Sequence, residues 1–125
     1  MAALFAKEKQ MKLVILESPY AGDVENNVAY ARACMADCLH RGEAPFVSHL
    51  LYTQPGVLDD TIPEQRKLGM EAGFEWRRVA ELTVVYTDNG ISSGMQEGID
   101  RSIEMGIPVE YRSILDDFHC ADRPF

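Results

Sequence analysis

The stretch Leu82 to Val109, LTVVYTDNGISSGMQEGIDRSIEMGIPV, decides the fold. Leu82 to Tyr86 is apolar and β-branched over the length of a buried strand. Thr87-Asp88-Asn89-Gly90 ends that run with turn chemistry. Ser92 and Ser93 offer N-cap hydroxyls, Met95, Ile99 and Ile103 follow at helical spacing, and Gly106 supplies a left-handed stop. Ile107-Pro108-Val109 opens the next strand. A strand, a short polar loop and a capped helix aim backbone N–H groups at the carboxyl edge of a sheet, where open α/β folds hold ligands. A ligand is expected at that edge.

Upstream, Lys12 to Leu16 (KLVIL) reads as a central strand, and Glu17 to Gly22 as a loop. Asp23 caps a helix running to about His40, with Val24, Val28, Ala31, Met35 and Cys38 on its core stripe and Arg41-Gly42 as its stop. Pro45 to Ser48 is a short second strand, followed by an aperiodic loop, Thr53 to Asp60, of a length that often serves function. Thr61 and Glu64 suggest a capping box, with Pro63 in the first turn. Leu68, Ala72, Trp76 and Val79 form the expected apolar stripe of that helix. Gly69 and Gly73 inside it imply either close packing against a neighbour or a ligand lying on that face. Strands and helices in alternation predict an α/β fold: a doubly wound parallel sheet of four to five strands with helices on both faces. The domain is expected over 12–113, with an N-terminal extension at 1–11 and a tail at 114–125.

At 125 residues, 46% apolar and 26% charged, the chain suits a single soluble domain with a real core. A net charge of −8 argues against a nucleic-acid surface, which needs clustered Lys and Arg. No apolar run approaches the ~20 residues of a membrane span. MAALFAKEKQ lacks the pattern of a secretory signal, so a cytoplasmic location is expected. Cys34, Cys38, His40 and Cys120 match no common zinc spacing; buried reduced thiols, no metal and no cofactor are expected.

The first loop, ESPYAGDVENN, should meet the Ser92-Ser93-Gly94 loop at one sheet edge, which suits a nucleotide-sized ligand. Its small residues let backbone approach a ligand, and Tyr20 can stack or hydrogen-bond. Candidate ligand-binding residues there are Ser18, Pro19, Gly22, Asp23 and Asn27, joined by Ser92, Ser93, Gly94 and Met95 on the facing loop and helix. His49 ends the second strand at the same edge, in a structural or a functional role. Asp59-Asp60 suits a solvated loop, or a site for sugar hydroxyls or a metal. Asp88 starts a turn, and its side chain is expected to point into the crevice. Glu97, on the first turn of the last helix, is stabilised by the helix dipole alone; its functional reading is a nucleophile for an anomeric carbon.

ESPYAGDVENNVAYA, PFVSHLLY and ISSGMQEGI…GIPV together resemble the nucleoside 2-deoxyribosyltransferase-like superfamily, which includes 2′-deoxynucleoside 5′-phosphate N-hydrolases. The likeness covers about Met11 to Arg112 and looks closest to a small branch found in bacteria and their phages. It implies a Rossmann-like sheet, a homo-oligomer and a nucleoside or nucleotide bound over the strand ends. It further implies a phosphate held at Ser93-Gly94, a tyrosine near the first loop and a glutamate nucleophile on the last helix. Counted back from Gly106, the nucleophile position falls on Gly98, with Glu97 one residue away and Asp100 two residues on; the assisting acid position falls on Gly73. The resemblance therefore supports an N-glycosidase or transferase using Glu97, Tyr20 and Asp88, or a binding protein with the same pocket and no chemistry.

Overall fold

A computed structural model describes residues 10–115. Strand β1 (Lys12–Glu17) leads to helix α1 (Val24–His40), strand β2 (Glu43–Phe46) and the short helix α2 (Ser48–Leu51). Helix α3 (Pro63–Trp76) ends in a 3-10 turn (Arg77–Val79), before strand β3 (Leu82–Tyr86), helix α4 (Ser93–Glu104) and strand β4 (Val109–Arg112). The four strands form one parallel sheet in the order β2-β1-β3-β4. The chain reverses its winding between β1 and β3, so their carboxyl ends frame the switch point of an open α/β sheet.

Side-chain alternation divides the core into two layers. Val14 and Leu16 of β1 and Val84 and Tyr86 of β3 pack with Cys34 and Cys38 of α1 on one face. Val85 packs with Met95 and Ile99 of α4 on the other. Cys34 and Cys38 are buried free thiols, as expected; Cys120 lies outside the described residues.

The local signals at Asp23, Gly42, Ser92 and Gly106 hold. Asp23 accepts the Asn26 amide at 3.4 Å, and Gly42 and Gly106 take φ of +83° and +76° beyond α1 and α4. Ser92 Oγ accepts the Met95 amide at 3.2 Å. Ser92→Ala is expected to lower stability by about 1 kcal/mol, seen as a lower urea midpoint at unchanged slope.

Several boundaries and faces differ from expectation. Strand β1 extends through Glu17, because Glu17 still pairs in register with Val85. Strand β2 is Glu43–Phe46 rather than Pro45 to Ser48; it starts directly after the Gly42 turn, and the sheet edge tolerates Pro45. Ser48 opens helix α2 instead. No Thr61 capping box forms: Pro63 holds Ile62 extended as the cap, and Thr61 donates to Asp59 at 2.6 Å. On α1, Val24 is exposed and the buried stripe centres on Ala31, Cys34 and Cys38.

The largest reversal is on α3 and the turn after it, where Leu68, Trp76 and Val79 point outward at 51–58% exposure and Gly73 is the buried position of the helix. The glycines choose the inner face. A Cβ on Gly69 would stand 3.2 Å from Leu58 Cδ1, and one on Gly73 would stand 3.1 Å from Ser48 Cβ. Close packing explains both. Ile103 of α4 is likewise exposed, and Ser102 takes its place against the sheet.

Candidate functional site

A crevice of about 130 Å³ opens where β1 and β3 hand over to their loops, the position expected for a ligand. Its walls combine Ser18 and Tyr20 after β1, Ser48 and His49 of α2, Gly73 and Arg77 from the α3 side, and Ser92, Ser93, Gly94, Met95 and Gly98 of α4. Two sequence-distant loops therefore converge, with Tyr20 and Ser93 lining the same cavity.

Tyr20 stacks on His49 with ring centroids 5.3 Å apart and planes 29° apart. Ser18 Oγ and His49 Nε2 are 3.1 Å apart, while buried His49 Nδ1 meets no partner among the described residues. Burial pushes the imidazole down to about 4, so it is neutral at neutral pH. A neutral, stacked ring suits an aromatic or sugar ligand better than an anion.

Arg66 and Asp60 also line the crevice, and their closest charged atoms stand 3.9 Å apart. A Cβ on Gly94 would lie 3.2 Å from Arg66 Nη2, so the guanidinium sits against the start of α4. Cation, helix amides and the Ser93 hydroxyl at one place form a natural anion seat. The crevice shares Asp60, Arg66, Met70 and Phe74 with an outer groove of about 660 Å³. Through Tyr20, Ala21, Asp60 and Arg66 it also meets a second groove, of about 740 Å³, over the loop after α2.

The remaining expected residues lie elsewhere or serve the scaffold. Pro19 is buried beneath the loop, and Gly22 turns it with φ +97°. Asn27 donates to Tyr20 O at 2.9 Å and Ala21 O at 3.1 Å, fixing the loop rather than facing the cavity. Asp23 is a cap. Asp88 does not point into the crevice. Its carboxylate accepts from Tyr30 at 2.5 Å, Ser113 at 2.5 Å, and the Ile114 and Leu115 amides at 3.1 Å each, tying down the chain after β4. Burial works to raise the Asp88 carboxyl, but these donors hold it below the usual carboxylate range. Glu97 is exposed and lines the outer groove with Asp100 and Arg101, one step around α4 from the crevice.

Beside Asp60, the crevice holds the carboxylate of Glu17, read from sequence as a loop residue, which pairs with buried Arg77. Arg77 Nε donates to Ser102 Oγ at 2.9 Å, and Ser102 Oγ stands 2.7 Å from Thr83 Oγ1. A Cβ on Gly98 would fall 2.6 Å from Glu17 Cδ and 2.8 Å from Arg77 Nη2. The missing side chain of Gly98 is the space the Glu17 head group fills. Burial pushes Glu17 up to about 7 despite the pull of Arg77. Its sequence signal was a lone acid ending an apolar strand; Arg66 and Arg77 gave none.

Comparison with solved structures finds the same fold in a 2-deoxyribosyltransferase from Bacillus psychrosaccharolyticus, with TM-score 0.57 and 21% identity. The match covers 81% of this chain and 72% of that one. It supports the deoxyribosyltransferase-like, Rossmann-type architecture. No curated protein sequence matches the chain. No helix among the described residues is long and apolar enough to cross a membrane. The sequence model of DUF7768, described as a domain of unknown function, matches residues 12–112, and the chain belongs to that family.

Proposed function

We propose that the crevice binds a nucleoside or nucleotide and that the protein acts on its N-glycosidic bond, as an N-glycosidase or deoxyribosyltransferase. The observation that carries this reading is the pairing of a neutral stacked Tyr20–His49 wall with the Ser92-Ser93-Gly94 helix start across one cavity. The first suits a base or sugar face; the second suits a hydroxyl or phosphate. A 2-deoxyribosyltransferase of the same fold supports the substrate class. So does the resemblance to 2′-deoxynucleoside 5′-phosphate N-hydrolases of bacteria and phages. Leu68 and Trp76 of α3 and Val79 of the turn after it, each more than half exposed, support a homo-oligomer.

Incubating the protein with a panel of deoxynucleosides and their 5′-monophosphates, with mass spectrometry for free base, tests the reading. Released base is the expected result; a panel that neither reacts nor raises the melting temperature overturns it. A ligand at 100 times its Kd should add about 2.7 kcal/mol of stability.

A second reading, a binding protein without chemistry, is favoured by Gly73 and Gly98 at the positions where the resemblance places acids. Firm binding with no product after long incubation would select it.

Arg66 separates phosphate from sugar recognition under either reading. Arg66→Ala is expected to weaken a 5′-monophosphate about 10- to 100-fold, the scale of one charge-assisted hydrogen bond. The parent nucleoside should change little. Titration calorimetry on the pair measures both.

A further inference from the structure

We propose that Glu17 is the catalytic carboxylate of this protein, delivered to the crevice from the end of β1 and held by Arg77 in the space that Gly98 leaves open. The inference rests on the N-glycosidic reading above and adds the residue that performs it.

The argument starts from geometry. Glu17 shares a face of β1 with Ile15 and pairs in register with Val85, so it faces the α4 side of the sheet, at the switch point where the cavity opens. Its side chain keeps 15% of its surface, whereas Arg77 keeps only 3%. Both partners are thus largely buried, and the carboxylate is the more accessible of the two. Arg77 is itself fixed by Ser102 from behind, so the pair has a defined orientation. Gly98 and Gly73 both line the cavity, and a Cβ on Gly98 would stand 2.6 Å from Glu17 Cδ, so the glycine leaves the room that the carboxylate occupies.

A carboxylate in this place can do what an acid projecting from α4 would do. The C1′–N bond breaks with its electron pair going to the base, which takes a proton from solvent, while a Glu17 oxygen bonds C1′ as a glycosyl ester. Water then attacks C1′, returns the carboxylate and releases a proton, so the net reaction is nucleoside plus water to base plus sugar.

Glu17 is faced by Arg77 from the turn after α3, His49 from α2, Tyr20 from its own loop, and Asp60 and Arg66 across the cavity. Because burial pushes Glu17 up to about 7, base release should rise with pH through that value and level off above it.

The test measures base release and binding separately. Glu17→Gln is expected to lower turnover at least 1,000-fold while calorimetric affinity changes less than about 10-fold, since the isostere keeps the cavity shape. The paired change Glu17→Ala with Gly98→Glu returns an acid from α4 to the same space, and is expected to regain part of the lost rate. Acid-quenched wild-type protein should carry the sugar on the peptide containing Glu17, a readout that needs no variant to fold. Wild-type turnover with the rate loss confined to Glu97→Gln, or a sugar adduct on another residue, overturns the proposal and leaves the N-glycosidic reading standing. Binding without any turnover by the wild type overturns both and selects the binding protein.

Discussion

Arg112→Ala is expected to destabilise the protein by about 3–5 kcal/mol, the loss usual when one partner of a buried ion pair is removed. Arg112 belongs to β4, at one sheet edge, and reaches Glu43 of β2, at the other, through paired bonds of 2.8 and 2.6 Å. It also donates to Tyr86 at 3.2 Å, and Tyr86 donates to Asp37 of α1 at 2.7 Å. The side chains of Arg112 and Glu43 are only 5% and 10% exposed, so truncation leaves a largely buried carboxylate without its paired donor. Hydrogen bonds from Arg112 hold Glu43 below the usual carboxylate range, outweighing burial. The folded protein therefore binds fewer protons here than the unfolded chain. The pair's contribution is present above the unfolded value of about 4.3 and is lost as pH falls through the folded one. Denaturant titrations at pH 7 and below 4 should show the variant's deficit shrinking in acid. A deficit under 1 kcal/mol at pH 7 would mean that the pair is solvated. Replacing both partners with apolar residues, Glu43→Leu with Arg112→Met, should cost less than the single change.

How far the sequence discloses the molecule follows from the range of the interactions involved. Ser92, Gly42, Gly106 and Asp23 act within a few residues of themselves, so caps and stops are visible in the chain and hold in the fold. The central strands are visible for the same reason, since an unbroken apolar run needs no partner to be recognised. The inner face of α3 is not. Leu68, Trp76 and Val79 mark an apolar stripe, yet the approach of Ser48 and Leu58 puts the glycine face inside. Asp88 and Glu97 fail as crevice residues because direction depends on neighbours. Asp88 is claimed by Tyr30, 58 positions away, and Glu97 misses the crevice by one step around a helix. Glu17 becomes chemically meaningful only beside Arg77, at a separation of 60 positions, and no local pattern encodes that.

Gly98→Ala joins these two scales in one experiment. On an ordinary helix the change would stabilise by about 1 kcal/mol, because alanine is the better helix former. At this position the new Cβ would stand 2.6 Å from Glu17 Cδ and 2.8 Å from Arg77 Nη2, and neither neighbour can step aside freely. Arg77 is buried and tied to Ser102, and Glu17 is tied to Arg77. Overpacking of this kind costs about 1–3 kcal/mol, so the expected outcome is a net loss where helix propensity alone forecasts a gain. Turnover should fall about 100-fold as well, since a reacting group displaced by about 1 Å loses that order of rate. Glu17→Ala in the same chain vacates the space, so the two substitutions should be non-additive by about 1–3 kcal/mol in a denaturation cycle. A stabilised, fully active Gly98→Ala protein would show that nothing occupies the room beside the helix. Glu17 would then have to face somewhere other than the crevice.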